Sequence, residues 1–162
     1  MTLALGIDPG TATTGYGLVR IEPDGGLVAV TYGVILTPKE ATAPARLVIL
    51  YDALRYLIGE YQPEIAAVEK LFFSRNVTTA LAVGQARGVV MLCLEQAGIQ
   101  AFEYTPNEIK QAVAGYGSAQ KKQVQEMVRA LLALDSIPKP DDAADALAIA
   151  ITHLSTKRYD LV

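Results

Sequence analysis

The stretch Glu69-Lys-Leu-Phe-Phe-Ser-Arg-Asn-Val-Thr-Thr-Ala-Leu-Ala-Val-Gly-Gln-Ala-Arg-Gly88 decides the fold. It begins with the acid that closes an apolar run, Glu64 to Glu69, which follows Pro63 and reads as a strand. Asn76 then caps a long helix reaching to about Gln96 and closed by Gly98. Ile99 to Tyr104 is apolar and strand-like again. Strand, helix, strand is the unit that lays two strands side by side in parallel.

Upstream of it, Thr2 to Asp8 is a buried strand ending in an acid, and Pro9-Gly10 marks a turn. A second strand covers Thr14 to Ile21, with Gly15 and Gly17 alternating along one face. The turn Pro23-Asp24-Gly25-Gly26 leads into a third, Leu27 to Leu36, so the first three strands form an antiparallel meander. Thr42 caps a helix whose apolar positions are Leu47, Leu50, Tyr51, Leu54, Leu57 and Ile58, with Gly59 near its end. Downstream, Pro106 starts a short helix ending near Ala114, and Gly115 to Ser118 is a loop. Ser118 is expected to cap a helix with the stripe Val124, Met127, Val128, Leu131 and Leu132. Pro138-Lys139-Pro140 breaks the chain before a last helix, Asp141 to about Thr156. The order specifies an α/β domain. Its five-stranded mixed sheet has three antiparallel strands, then parallel additions, flanked by helices. One domain is expected over residues 1–162, with a short tail from about 157.

Composition agrees with a compact globule: 162 residues, 51% hydrophobic and 19% charged. One cysteine, Cys93 in an apolar helix pattern, excludes a disulfide framework and suits a reducing cytosol. The N-terminus lacks a basic segment followed by a long apolar run, so no secretion signal is expected. No apolar run approaches ~20 residues, so no membrane span is expected and the protein reads as cytoplasmic. The net charge of −3 argues mildly against a nucleic-acid binder, unless the acids gather in one site and the bases elsewhere.

Four acids suggest that they do. Asp8 and Glu69 each end an apolar strand, and so sit at the carboxyl edge of the sheet, where α/β folds place their sites. Asp142 and Asp145 lie at i and i+3 in the first turns of the last helix and share a face. Around Asp145 that helix is apolar almost all round, hence buried. A carboxylate there needs a cation, and no lysine or arginine stands on the adjacent turns. Oxygen ligands without a His/Cys cluster point to Mg²⁺ or Mn²⁺. Four carboxylates fit a pair of ions about 4 Å apart, clamping the attacking and leaving oxygens of a phosphodiester. Taken singly, Asp142 is a good helix-capping residue and Glu69 an ordinary surface acid. The glycines of Gly10-Thr-Ala-Thr-Thr-Gly15 have the spacing of a phosphate-binding loop, but Tyr16 and Gly17 replace its Lys and Ser/Thr.

Gly6-Ile-Asp-Pro-Gly10, Glu69-Lys-Leu-Phe72, Gly84-Gln-Ala-Arg-Gly88 and Asp142-Ala-Ala-Asp-Ala-Leu-Ala-Ile-Ala-Ile-Thr-His153 together resemble the RuvC Holliday junction resolvases, in order and nearly end to end. The resemblance implies an RNase H-like fold, a homodimer, and Mg²⁺-dependent symmetric nicking of four-way DNA junctions in recombination and repair. It implies that Asp8, Glu69, Asp142 and Asp145 are the metal-binding catalytic acids, and that a RuvA–RuvB branch-migration complex is a partner. Another RNase H-like nuclease and a non-catalytic junction-binding module are the alternatives.

DNA contacts are expected beside the acids. Lys121 and Lys122 stand in the first turn of a helix, where cations oppose the dipole unless an anion such as a backbone phosphate binds. A solvated lysine pair is the plain alternative. The resemblance adds Lys110 and Lys121 as basic DNA-contacting positions. Phe72 and Phe73 are adjacent near a strand end and cannot both point inward, so one is available to stack on an unpaired base. The resemblance favours Phe72, and Arg75 is a candidate phosphate contact. Ala80, Gly84 and Gly88 form a flat strip that admits a close backbone neighbour, either the sheet beneath or a two-fold partner. His153 reads as a structural histidine with a hydrogen-bond partner.

Overall fold

Period-two alternation in the strands sorts the core onto two faces of one sheet. The structure, a computed structural model, describes residues 2–70 and 76–159. Strands β1 (Leu3–Asp8), β2 (Thr13–Ile21) and β3 (Leu27–Leu36) form the antiparallel meander, and β4 (Ile65–Glu69) and β5 (Gln100–Tyr104) add in parallel beside β1. The spatial order is β3-β2-β1-β4-β5. Leu5, Ile7, Leu18, Ala66 and Val68 point to one face, covered by α1 (Ala43–Tyr61) and α2 (Val77–Gln96). Ala4, Val19 and Ala67 point to the other, covered by α5 (Asp141–Tyr159), on which α3 (Pro106–Ala114) and α4 (Lys121–Leu131) pack.

Local chemistry sets most of the boundaries. The Thr42 hydroxyl accepts from the Ala45 N–H at 3.3 Å, and the Asn76 side chain accepts from the Thr79 N–H at 3.3 Å, so both predicted caps form. Thr105 and Glu108 make a reciprocal capping box at the start of α3. Three expectations are corrected. Ser118 does not cap α4: the helix begins after Gln120, whose N–H donates to the Gln123 side chain at 2.8 Å. Met127 and Leu131 of the predicted stripe are exposed, because Val124, Val128 and Leu132 are the stripe residues that pack against α5 and its neighbours. Helix α2 is long and apolar enough to cross a membrane by length and composition, against the expectation of no such run. Thr78, Thr79, Gln85 and Arg87 interrupt the linear run, but the helix as a whole remains apolar. One such helix is weak grounds for a membrane span, and part of it is buried against α1 and the sheet.

The contact between α5 and the meander is backbone to backbone. A Cβ built on Gly6 would lie 2.0 Å from the Ala146 carbonyl oxygen, and one on Gly15 would lie 2.0 Å from that of Asp142. A Cβ on Gly17 would lie 2.8 Å from the Leu147 side chain. Ala143, Ala146 and Ala150 are correspondingly fully buried on α5. Small residues on both surfaces thus let the helix sink onto β1 and β2.

Two glycine substitutions separate this packing from backbone propensity. Gly15→Ala should destabilise the fold by about 3 kcal/mol or more, because Asp142 cannot yield without moving α5. Gly59→Ala, on α1 with nothing within 4 Å, should be neutral or stabilise by up to about 1 kcal/mol. Urea unfolding of both variants beside the parent measures the contrast.

Candidate metal centre

Each acid reaches the site through the element that carries it. Asp8 is the last residue of β1 and faces Gly15 across the ladder. The turn that follows is held tightly: the Thr14 hydroxyl donates to the Gly10 carbonyl at 2.7 Å, and the Thr11 hydroxyl donates to the Ala82 carbonyl of α2 at 3.0 Å. Glu69 is the last residue of β4, which runs parallel to β1, so the two strand ends are neighbours. Asp142 and Asp145 enter from the first turns of α5, where the contact at Gly6 and Gly15 presses them to the same edge.

Asp8, Asp142 and Asp145 each offer a carboxylate oxygen, and these oxygens all lie within 4.8 Å of one another. Glu69 stands outside that group but borders it. It lines a cavity of about 350 Å³ with Lys110, Lys121 and Asp145, and a second of about 240 Å³ with Asp8, Lys70 and Arg87. Burial pushes the Asp8 carboxyl up to about 7, helped by the charges of Asp145, Glu69 and Asp142. Burial also raises Glu69, with Asp145 adding and Lys110 opposing. Asp145 is raised by burial and partly relieved by Lys121. The site therefore carries more negative charge than its cations balance. The donors are all hard carboxylate oxygens, the chemistry that suits Mg²⁺ or Mn²⁺.

The lysines sit differently from expectation. Lys121 Nζ lies 3.2 Å from Asp141 and 3.9 Å from Asp145. A cation does therefore approach Asp145, from α4 across the interface and not from the adjacent turns of α5. The same pairs offset the dipole conflict at the start of α4 without a bound anion. Both partners are substantially exposed, so these pairs contribute little stability and Lys121 remains open to another anion. Lys110 lines the larger cavity, and Lys122 is exposed beside Lys121. Phe72, Phe73 and Arg75 lie outside the described residues. Asp141 takes Lys121 and the Gln125 amide, which tie α4 to the start of α5. His153 is 1% exposed, and its Nδ1 shares a 2.7 Å hydrogen bond with the Tyr104 hydroxyl, as a structural histidine requires.

Sequence reasoning passed over Lys70 and Arg87. Lys70 follows Glu69 directly, which is the signal that was there to use. Arg87 is a charged residue on the inward face of an apolar helix; it ion-pairs with Glu103, and its Nε is buried without a partner. Burial of an arginine beside a carboxylate site is a mark of function or anchoring.

Crowding makes a signed prediction for the metal-free protein. Asp8 binds its proton more tightly folded than unfolded, so its contribution to stability is fully present below pH 4 and is lost as pH rises to about 7. Asp8→Asn should therefore raise the unfolding free energy at pH 8 by on the order of 2 kcal/mol in EDTA, with the difference closing near pH 4. Thermal unfolding at both pH values measures it.

The family model described as crossover junction endodeoxyribonuclease RuvC matches residues 4–153. A crossover junction endodeoxyribonuclease RuvC of Chloroflexus aggregans is 60% identical over 154 residues, covering 94% of this chain and 93% of that protein. The Syntrophomonas wolfei protein of the same description is 54% identical over 154 residues, covering 95% and 89%. Among solved structures, Thermus thermophilus RuvC in complex with a Holliday junction substrate superposes with a TM-score of 0.93 at 35% identity, covering 99% of this chain and 97% of that one. The yeast mitochondrial Holliday junction resolvase Ydc2 shares the fold, with a TM-score of 0.74 at 13% identity over 97% and 79% of the two chains. The mixed sheet and its helices are thus RNase H-like, and the chain belongs to the crossover junction endodeoxyribonuclease RuvC family.

Proposed function

We propose that this chain is a structure-selective endonuclease that resolves four-way DNA junctions by paired, symmetric phosphodiester hydrolysis in recombination and repair. The observation that carries the reading is the convergence of Asp8, Asp142 and Asp145 within 4.8 Å, beside a cavity bordered by Glu69, Lys110 and Lys121. Asp8, Glu69, Asp142 and Asp145 are the residues that would hold Mg²⁺, as two ions, with Mn²⁺ able to substitute. When bound, such ions supply a water of lowered pKa and neutralise charge on the phosphoryl oxygens. The protein supplies the rest. The strand ends and α5 fix the carboxylates before substrate arrives, so little reorganisation remains for the reaction. Lys110 and Lys121 hold the DNA backbone against the cavity, and Lys122 extends that basic edge. Phe72 and Phe73 follow Glu69 in sequence, and one of them, Phe72 by preference, stacks on an unpaired base at the junction centre, while Arg75 contacts a backbone phosphate.

The working unit in this reading is a homodimer. Val77, Leu81 and Leu92 are 69%, 64% and 53% exposed on α2, and Gly88 between them has nothing within 4 Å. These positions recur on one outward helix face, which a second copy would cover. Two sites related by a two-fold axis match a junction of near two-fold symmetry and permit cuts on opposing strands. We assign residues 1–162 to one nuclease domain with a short tail from about 157, place the protein in the cytoplasm, and name a RuvA–RuvB complex as the source of its junctions.

A synthetic four-way junction, labelled on each strand in turn, should be nicked on two opposing strands in Mg²⁺ and bound without nicks in Ca²⁺, while linear duplex is spared. Binding without nicks in Mg²⁺ or Mn²⁺ would reduce the protein to a junction-binding module, and equal cutting of duplex would make it a general nuclease. Asp8→Asn should lose cleavage by on the order of a thousandfold while keeping junction affinity. Leu81→Glu should yield monomers in sedimentation velocity and uncouple the two nicks.

A further inference from the structure

We propose that the hydrogen bond between Tyr104 and His153 is a positioning device for the metal site, tying the strand end that carries Glu69 to the helix that carries Asp142 and Asp145. The inference rests on the metal-site reading above and adds two residues to it, neither of them one of the four acids.

The need for such a device follows from the architecture. The glycine contact seats α5 on β1 and β2, and so brings Asp142 and Asp145 to Asp8. It does not act on β4, and Glu69 lies outside the cluster of three. Tyr104 is the register partner of Glu69 in the β4–β5 ladder, and its carbonyl accepts from the Lys70 N–H at 2.8 Å. The backbones of Glu69 and Tyr104 therefore move together. The Tyr104 side chain crosses to α5, where its hydroxyl and His153 Nδ1 are 2.7 Å apart. Phe102, on the same face of β5, packs its ring 4.5 Å from the His153 ring. The bond is part-buried, with His153 fully buried, and a hydrogen bond of one preferred length fixes a spacing that apolar contact alone leaves free to slide.

The geometry acts as a lever. His153 stands eight residues after Asp145 on one stiff helix, about 12 Å along its axis. The glycine contact holds α5 from Asp142 to Ala150, and Tyr104 holds the next turn, at His153, against β5. Together they set the tilt of α5 relative to Glu69. Tyr104 also leads directly into the Thr105 cap of α3, whose Lys110 lines the cavity with Glu69 and Asp145.

Tyr104→Phe deletes one oxygen and keeps the ring. Titration calorimetry of the full chain with Mn²⁺ should show its affinity lowered about tenfold, with the Mn²⁺ needed for half-maximal junction nicking raised by the same factor and the rate recovered at saturation. Phe102→Leu loosens the packing around His153 but keeps the hydrogen bond. It should lower the Tm measured in EDTA more than Tyr104→Phe does, yet bind Mn²⁺ like the parent. Mn²⁺ affinity unchanged in Tyr104→Phe, or tracking Tm across both variants, would overturn the proposal. A parent chain that binds no Mn²⁺ would overturn the metal-site reading itself and this proposal with it.

Discussion

The approach of α5 to the backbone of β1 and β2 is the constraint on which the rest depends. Gly6, Gly15 and Gly17 supply the absence of side chains that lets Ala143, Ala146 and Ala150 sit against the strands. The same contact decides where Asp142 falls, since its backbone oxygen is the atom a Cβ on Gly15 would strike. Helix–sheet packing and acid placement are therefore one event. A helix held a side chain's width farther away would still bury a core but would carry its two aspartates off the edge of β1.

The packing forces together charges that repel. Asp8 is half-buried at a strand end near three other acids, and its carboxyl rises to about 7. Apolar burial around Ala143 to Ile151 supplies the stability that this crowding consumes. Such a site is under tension until a cation enters, which is how a fold can give up stability for function at one place. The lysines do not neutralise it. Lys121 divides its charge between Asp141 and Asp145 at a solvent-exposed edge, and Lys110 acts on Glu69 from α3. Both line the larger cavity with Glu69 and Asp145. The net charge of −3 sums acids and bases over the whole chain and hides the gathering of acids at one edge, so it says little about the partner.

Much of this was legible in the residues because the signals were local. Alternation and turn residues located all five strands, and Thr42, Asn76 and Pro106 marked the helix starts. Asp142 and Asp145 share a face by helical period alone. The failures share the opposite property. Ser118 looked like the cap of α4, but Gln120 and Gln123 settle the start by a pairing that ordinary capping preferences rank low. Lys121 reaches Asp145 across an α4–α5 interface, so a search along the turns of one helix could not find it. Gly15 and Gly17 were visibly on one face, yet nothing in the strand reveals which helix lands there. The Tyr104–His153 bond joins residues 49 positions apart, and composition carries no trace of it.

The central claim is that four carboxylates on three elements form one divalent-metal site. Crystals soaked in Mn²⁺ and measured at its absorption edge would test it most directly. The account predicts two anomalous peaks, both within bonding distance of oxygens from Asp8, Glu69, Asp142 and Asp145. A map with no peak at that cluster, or with Mn²⁺ held elsewhere while these acids stay unliganded, would contradict it.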